Sequence, residues 1–376
     1  MIATLALFIC LTVTQLTFAQ CPGSIFASNL QGPSKIIQTP LGNLLVAESG
    51  TTTPNTSRIS ILSKDGTRRT LLDGLPSGVN DIGDVVGVTG LYMEGRTLYI
   101  TIGQGDATIA GPVPGTELPN LNPSSPIFNA VLAIHFSANV EKTTTGFTLS
   151  LADQLALNNG QEVSLGKKGG GISIELVANF PDYVSEPLPF LATNVRHSNL
   201  YGLVKMGDQI FVVDAGRNAV FQVNVTSGAT SVLTVFPPIA NPLPFGPPFV
   251  EAVPTNIRES GNQLLVTLLR GFPFPANTAE VRMVNPLSGA NSPFITGLTS
   301  AVDVLPYNGG FLTLEISTNL LANQPGRLQY WSSPAGTPTV ISNCLIGPSS
   351  MVYDKKTATL YVTEIFTGRI IQIPLG

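Results

Sequence analysis

The chain has 376 residues, of which only 11% are charged, and its formal net charge of −4 at pH 7 excludes a strongly basic, nucleic-acid-binding surface. Its 37 glycines and 30 prolines favour many short strands and turns over long helices. Beyond the first 20 residues no apolar run approaches the roughly 18 residues that cross a bilayer, so the rest of the chain contains no expected membrane span.

The first segment, residues 1–19, has the pattern of a secretory signal peptide. It is largely apolar and uncharged, and Thr17 and Ala19 place small residues at the −3 and −1 positions of a cleavage site. We expect cleavage after Ala19, secretion to the extracellular space and no membrane contact afterwards; an uncleaved anchor is the alternative. The mature chain, residues 20–376, is then a single domain.

Cleavage would remove Cys10 and leave two of the three cysteines, Cys21 and Cys344. An even pair in a secreted chain predicts one disulfide, and on the chain-entropy model a loop of this length contributes roughly 5–6 kcal/mol. Asn55 and Asn224 begin Asn-x-Ser/Thr triplets, so we expect both to be exposed and to carry glycans if the host glycosylates.

Six short apolar segments recur along the chain and resemble one another closely. They occupy residues 44–48, 98–102, 210–214, 264–268, 311–315 and 360–364, and their last residues lie 54, 112, 54, 47 and 49 positions apart. A period of roughly 40–50 residues with several strands in each unit is typical of a β-propeller. Each segment fits a second strand, preceded by an inner strand and a tight turn and followed by third and outer strands.

The sixth unit ends at Gly376 with no outer strand left to form. Residues 24–28 of the mature N-terminus supply one, and we expect them to pair beside residues 369–373 and so protect the sheet edges of an open ring. The interval of 112 residues holds either a seventh blade or insertions; its Gly-, Pro- and Asn-rich stretches favour a long insertion in blade 2, with a short helix at 149–157. The predicted fold is therefore an all-β, six-bladed β-propeller closed by the N-terminal strand.

Several segments together resemble the ScyD/ScyE family along most of the mature chain and in the same order. They are Gly32-Pro33 and residues 45–49, 72–77, 199–203, 213–216, 251–255 and 271–275. Gly-Phe-Pro-Phe-Pro at 271–275 is the most specific piece, whereas Asn199-Leu200-Tyr201-Gly202 departs from the usual Asn-Pro-Tyr-Gly. The resemblance implies an exported β-propeller, of a family named for a cyanobacterial cluster for the sunscreen pigment scytonemin. It implies no catalytic residue.

Acidic residues end four of the second strands: Glu48, Asp214, Glu315 and Glu364. Four carboxylates around one axis could bind Ca²⁺, which takes six to eight oxygen ligands. A residue type that recurs unit by unit more often has one structural task in each, such as accepting hydrogen bonds from backbone N–H groups.

The inner strands break the symmetry of the repeat. Their aligned position holds Lys35, Gly90, Gly202, Asn256, Asp303 and Ser350, beside an apolar ring of Ile36, Leu91, Leu203, Ile257, Val304 and Met351. The apolar ring predicts packing between blades, and the polar set predicts residues that line the central channel. Glu251, Asn256 and Asp303, together with Asn199, form a tentative calcium-binding set by analogy with the propeller lactonases.

Two histidines are present, and His135 falls within a third strand, where a structural role is expected. His197 precedes an inner strand and is the better placed general-base candidate, with a loop residue of no function as the alternative. The loop with Arg270, Phe272 and Phe274 offers either an exposed platform for an aromatic or sugar-like ligand or a plug over the channel.

These observations leave two functional hypotheses. The first is a non-catalytic binding or accessory module that uses the end of the channel near His197, Glu251 and Asn256 to bind a small molecule or a protein. The second is a calcium-dependent lactonase or esterase-like hydrolase. We expect a monomer with no nucleic-acid partner, and we assign no cofactor beyond the candidate Ca²⁺.

Overall fold

The computed structural model of the chain describes residues 21–167 and 170–375. Within these residues the main strands form six sheets of four or five strands, and the inner strand of each sheet packs against the inner strands of its two neighbours until the last meets the first. The protein is thus an all-β, six-bladed β-propeller, as the repeat predicted. The expected signal peptide, residues 1–19, lies outside the described residues.

The strands of each blade run from the axis outwards. Blade 1 has Pro33–Gln38, Leu44–Glu48, Ser57–Leu62 and Arg68–Leu75; blade 2 has Val88–Glu94, Thr97–Ile102, Ala130–Phe136 and Ile172–Asn179; blade 3 has Leu200–Met206, Gln209–Asp214, Ala219–Asn224 and Thr230–Val235. Blade 4 has Pro254–Ser260, Gln263–Leu268, Ala279–Val284 and Asn291–Leu298; blade 5 has Ala301–Tyr307, Gly310–Glu315, Gly326–Trp331 and Thr339–Leu345; blade 6 has Pro348–Asp354, Thr359–Glu364, Arg369–Pro374 and Ser24–Ala27.

The core lies between neighbouring blades, because second strands have a blade on each face and are buried along nearly their whole length. The apolar ring predicted along the inner strands is buried as expected, with Ile36 and Val304 fully inaccessible. Each inner strand also carries a register irregularity near its start. At this irregularity a hydroxyl of one blade donates to a backbone carbonyl of the next, as from Thr89 to Leu200 at 2.7 Å.

Three further hydroxyls make the same contact between blades: Ser34 to Val88, Thr255 to Ala301, and Ser349 to Pro33. At the equivalent position of the inner strand, blade 3 has Tyr201 and blade 5 has Val302 in place of a serine or threonine. In four of the six blades a serine or threonine hydroxyl therefore forms a hydrogen bond to the next blade near the axis.

The long interval in the repeat is an insertion in blade 2, as expected. Between the third and outer strands it contains the helices Ala138–Thr143 and Leu151–Asn158, the second of which confirms the predicted short helix. Strand Phe147–Thr148 pairs in parallel with the outer strand of blade 1, and Val163–Leu165 adds a fifth strand to blade 2. The insertion therefore extends two blades and forms no seventh one. A 3-10 helix, Leu320–Ala322, lies in blade 5.

The N-terminal strand closes the ring. Ser24–Ala27 pairs antiparallel with Arg369–Pro374, with Ser24 opposite Gln372 and Ile25 opposite Ile371. The predicted disulfide between Cys21 and Cys344 is present, and it joins this N-terminal segment to the outer strand of blade 5. Closure therefore combines a β-ladder with a covalent link across 323 residues.

Four short hairpins stand apart from the blades in the described part of the chain. Hairpin I is Gly78–Val79 with Val85–Val86, hairpin II is Thr108–Ala110 with Glu117–Pro119, hairpin III is Tyr183–Ser185 with Val195–His197, and hairpin IV is Ile239–Ala240 with Phe249–Val250. None of the described helices is long and apolar enough to span a bilayer.

Candidate functional site

The four hairpins share one face of the propeller. Because the chain crosses each blade four times in alternating directions, the ends of second strands and the starts of inner strands lie on the same face, here called the mouth. Hairpins I, III and IV each lead into an inner strand, and hairpin II follows the second strand of blade 2. Binding and catalytic residues lie disproportionately on loops held by a rigid scaffold, so the loops of the mouth are the candidate site.

Three of the acids that end the second strands make the same contacts. Each accepts a backbone N–H from the segment that enters its own blade, as Glu48 does from Gln31 at 2.6 Å, and each pairs with an arginine of its third strand. The pairs are Glu48–Arg58 at 2.8 Å, Glu315–Arg327 at 2.5 Å and Glu364–Arg369 at 2.6 Å. These contacts support a structural role in the repeat over a ring of metal ligands.

The polar residues of the inner strands form a connected network inside the channel. Lys35 Nζ donates to Asn256 Oδ1 at 2.6 Å, and Asn256 Nδ2 donates in turn to Asp303. Arg258 donates to both oxygens of Asp303, at 2.9 and 2.6 Å, and the Met351 N–H donates to the same carboxylate at 3.0 Å. The Asp303 side chain is fully buried, and these donors from blades 4 and 6 satisfy both of its oxygens.

Close approach explains why glycine occupies one of the equivalent channel positions. A Cβ on Gly202 would lie 2.5 Å from Asn256 Oδ1, nearer than real carbon and oxygen atoms approach. A side chain at position 202 would displace the Asn256 amide. Glycine at this position therefore leaves the space that the network occupies.

Burial controls the electrostatics of this network. Lys35 is only 6% exposed, and desolvation lowers its pKa from 10.5 to about 7, although the Asp303 charge acts in the opposite direction. Desolvation alone would raise the pKa of Asp303, but the charges of Arg258 and Lys35 outweigh it and hold that pKa below its usual value. The channel therefore contains a stable Asp303–Arg258 ion pair beside an amine that titrates near neutrality.

The tentative calcium set is only partly brought together. Asn256 and Asp303 are in contact, whereas Glu251 binds Arg196 of hairpin III at 3.1 Å and also accepts a hydrogen bond from Asn218. The Glu251 carboxylate thus ties blade 3 and hairpin III to the segment that enters blade 4.

The aromatic loop separates into a buried cation and partly exposed rings. Arg270 is 5% exposed, and its guanidinium donates to the Thr278 carbonyl and to Glu280 at 2.9 Å. Phe272 is 50% exposed and contacts two other rings edge to face: Phe274, with centroids 6.2 Å apart, and Phe245 of hairpin IV, at 6.5 Å. Of the three loop residues, Phe272 therefore exposes apolar surface, Phe274 packs against it, and Arg270 is bonded within blade 4.

His197 lies at the end of hairpin III and faces an acid that the sequence analysis did not identify. Its Nδ1 is 2.8 Å from both carboxylate oxygens of Glu117, which belongs to hairpin II. The imidazole also lies against Gly216, where a Cβ would come within 2.5 Å of Cδ2. Burial lowers the pKa of His197. The hydrogen bond and charge of Glu117 and the charge of Asp81 raise it by more than burial lowers it, so the pKa lies above its ordinary value.

Asn199, the remaining predicted residue, links blade 3 to the insertion. Its backbone N–H donates to Asp214 Oδ1 at 2.9 Å, and its side-chain oxygen accepts the Gln104 N–H at 3.2 Å. Gln104 Nε2 in turn donates to Asp81 of hairpin I at 2.8 Å. Asp81 and Glu117 thus surround His197, although neither belongs to a repeat segment. The length of the interval after Ile102 was a signal for Glu117 alone, because that interval leaves blade 2 at the mouth; no signal in the sequence pointed to Asp81, which lies before blade 2.

The other sequence-based candidates lie away from this group. His135 is in the third strand of blade 2, as expected, where it contacts Thr97 at 3.0 Å and Glu175 at 3.0 Å. The two glycosylation candidates are half-buried rather than fully exposed. Asn55 donates from its side chain to the Ser124 carbonyl, and Asn224 accepts three hydrogen bonds within its own turn.

Comparison with known proteins identifies the fold and no family. No family model matches the chain, and no curated protein matches it. Among solved structures it resembles a PQQ-bound aldose sugar dehydrogenase from Streptomyces coelicolor, with 13% identity, a TM-score of 0.51 and coverage of 94% of this chain and 97% of the other.

A putative oxidoreductase (glucose dehydrogenase) from Thermus thermophilus has 11% identity and a TM-score of 0.50, over 93% of this chain and 98% of the other. An auxiliary nutrient binding protein from Bacteroides thetaiotaomicron has 9% identity and a TM-score of 0.50, over 92% and 69%. Enzymes and a binding protein thus share this architecture, and at such low identity the likeness shows that the chain is a β-propeller and nothing about its chemistry.

Proposed function

We propose that this protein is an exported, non-catalytic binding module that takes an apolar or aromatic ligand at the mouth. The disulfide supports export, because such bonds persist mainly in oxidising compartments. Membership of the ScyD/ScyE family, proposed from the sequence resemblance, agrees with an exported propeller.

The observation that carries this proposal is the exposure of large apolar side chains around the mouth. Hairpin IV presents Phe245 and Phe249, at 49% and 58% exposed, beside Phe272 of the neighbouring loop. Hairpin I presents Ile82 at 75%, and the turn of hairpin III presents Phe190 at 67%. Among these side chains the rings of Phe245 and Phe272 are in contact, and a contiguous exposed apolar patch typically marks a binding surface.

The polar channel behind this surface is less suited to the hydrolase hypothesis. A calcium site at Asp303 would have to compete with Arg258, which donates to both carboxylate oxygens. If Ca²⁺ replaced Arg258 as the partner of Asp303, the guanidinium would be left without its carboxylate, which costs several kcal/mol. This contact favours a structural channel with the ligand bound outside it.

A 4-nitrophenyl ester and a 4-nitrophenyl glycoside are suitable probes, because each can report both binding and hydrolysis. We expect calorimetry to detect saturable binding of at least one of the two, weakened about tenfold in the Phe245→Ala, Phe272→Ala double variant through loss of about 1.4 kcal/mol of contact. Leu287→Ala is the matched control, since Leu287 is 94% exposed in a turn between the third and outer strands, on the opposite face.

The absorbance of released nitrophenolate distinguishes the two functions. The binding module should leave both probes intact, with the same result in calcium and in chelator. Calcium-dependent turnover that disappears in Asp303→Asn would replace the proposal by the hydrolase. Equal loss of affinity in Leu287→Ala and in the double variant would refute the mouth as the binding surface.

A further inference from the structure

Three potential metal ligands from three different hairpins converge at the mouth. Asp81 of hairpin I, Glu117 of hairpin II and His197 of hairpin III each offer one ligand atom, and these atoms lie within 4.8 Å of one another. All three side chains are half-buried. The three residues are widely separated in the sequence, and the packing of blades 2 and 3 side by side brings their hairpins together.

The surroundings of this group are rich in carboxylates, and the charge of Arg217 acts on one of them, Asp214, without forming an ion pair with it. In the described part of the chain, no lysine or arginine forms an ion pair with Asp81, with the nearby Asp84 or with Asp214. The contrast with the other second-strand acids is direct, because Glu48, Glu315 and Glu364 each have an arginine.

Asp214 supplies an independent observation. Its side chain is fully buried and its charge acts on His197, yet its Oδ2 has no hydrogen-bond partner among the described residues. A buried carboxylate oxygen without a donor is costly, and an adjacent cation is one of the few ways to offset that cost. The unpaired oxygen of Asp214 therefore favours a cation bound beside the imidazole.

We propose that Asp81, Glu117 and His197 form a binding site for a divalent transition-metal ion of the zinc type. An imidazole nitrogen with two carboxylate oxygens suits Zn²⁺ and its neighbours better than Ca²⁺, which takes six to eight oxygens. Three protein ligands leave a coordination position for water or for a donor atom of a bound molecule. The inference goes beyond the proposed binding function and does not depend on it.

The distances require only a modest rearrangement. Two ligands on one tetrahedral Zn²⁺ lie about 3.3 Å apart, given metal–ligand bonds of about 2.0 Å. The His197 and Glu117 atoms, now at 2.8 Å, would separate by about half an ångström as the metal replaces their shared proton. Asp81 lies in the turn of hairpin I, where Gly83 has a φ of +92° and open space around it, so this turn can adjust.

The presence of two histidines in the whole chain makes the test direct. Untagged protein labelled with ¹⁵N is titrated with Zn²⁺ and with Co²⁺ and followed by calorimetry and by imidazole NMR. We expect one ion per chain, a zinc-induced shift of the His197 signals and paramagnetic broadening of those signals by Co²⁺, with His135 little affected. The wild-type spectra need no variant and therefore no assumption about folding.

Variants then assign the ligands. Asp81→Asn and Glu117→Gln should each weaken Co²⁺ binding at least tenfold, and His197→Gln should abolish saturable binding up to about 1 mM. His135→Gln is the matched control, because His135 also pairs with a glutamate, at 3.0 Å, but on the side of blade 2. It should bind Co²⁺ as the wild type does.

Three results would overturn the proposal: no saturable binding of either ion up to about 1 mM, loss of binding in His135→Gln but not in His197→Gln, or wild-type affinity in both carboxylate variants. Calcium binding as tightly as zinc would contradict the assigned class of metal. The nitrophenyl probes report on the aromatic surface separately, so failure of the metal site leaves the proposed ligand binding to its own test.

Discussion

Replacing Lys35 with methionine should change the stability of this protein in opposite directions at low and high pH. Lys35 lies in the channel with its amine bonded to Asn256, and burial lowers its pKa from 10.5 to about 7. Because the unfolded state binds more protons than the folded state between these values, the wild type gains stability as the pH rises from about 7 to 10.

The size of the effect follows from the pKa difference. A change from 10.5 to about 7 corresponds to about 5 kcal/mol of penalty for burying the charged amine below pH 7. Methionine has a similar stem and no charge, so it removes this penalty, but it leaves Asn256 Oδ1 without its donor at a cost of about 1–3 kcal/mol. We therefore expect Lys35→Met to be more stable than the wild type by about 2–4 kcal/mol at pH 6 and less stable by up to about 2 kcal/mol at pH 10, where about 1 kcal/mol of the penalty remains, with the curves crossing near pH 9.

Guanidinium unfolding at several pH values measures this difference. Trp331, the single tryptophan, is buried in blade 5 and reports the transition. Lys205→Met is the matched control, because Lys205 pairs with Glu94 at 2.7 Å and its pKa is raised rather than lowered: burial acts downwards, but the Glu94 hydrogen bond and charge outweigh it. The control should differ from the wild type by a nearly constant amount between pH 6 and pH 10.

Two outcomes would refute the reasoning. If Lys35→Met is less stable than the wild type at pH 6, the buried amine carries no penalty and a compensating contact has been missed. If the difference between the two proteins does not vary with pH, Lys35 keeps one protonation state throughout, and desolvation is not the dominant influence on it.

Two other predictions concern how the ring is held together. Cys21→Ser should lower the free energy of unfolding by about 2–5 kcal/mol, the usual cost of removing a native disulfide and less than the chain-entropy model gives for so long a loop, and the loss should be absent when wild type and variant are compared under reducing conditions. Thr89→Val keeps the side-chain shape but removes the hydroxyl that donates to the Leu200 carbonyl, so it should cost about 1–2 kcal/mol by chemical denaturation. A Thr89→Val protein as stable as the wild type would show that the hydroxyl contacts between blades contribute nothing measurable.

Much of the fold was predictable because it is local and repeated. Each blade is a meander in which neighbours in sequence pair in space, so the alternation of apolar residues and the tight turns specify four strands at a time. The missing outer strand of blade 6 and the strand-like residues near the N-terminus then predicted the closure, which the pairing of Ser24–Ala27 confirms. The disulfide was predictable because the expected mature chain contains two cysteines, which the structure joins.

The polar residues of the channel were identified as a set, but their connections were not. The repeat aligned Lys35, Asn256 and Asp303, whereas Arg258 was hidden because it lies two residues beyond the aligned position. Its reach to Asp303 depends on how two blades face each other, which no single repeat contains.

The amino-acid sequence by itself determined the propeller. The period, the strand pattern and the closing strand can each be recognised in short stretches of consecutive residues. Only the tertiary structure decided what the mouth contains. Asp81, Glu117 and His197 come from connections between strands that have no alternation to interpret, and they meet because the ring fixes the starting point of each hairpin. Contacts between such connections depend on how blades 2 and 3 pack side by side, which is why the candidate metal site could not be found along the chain.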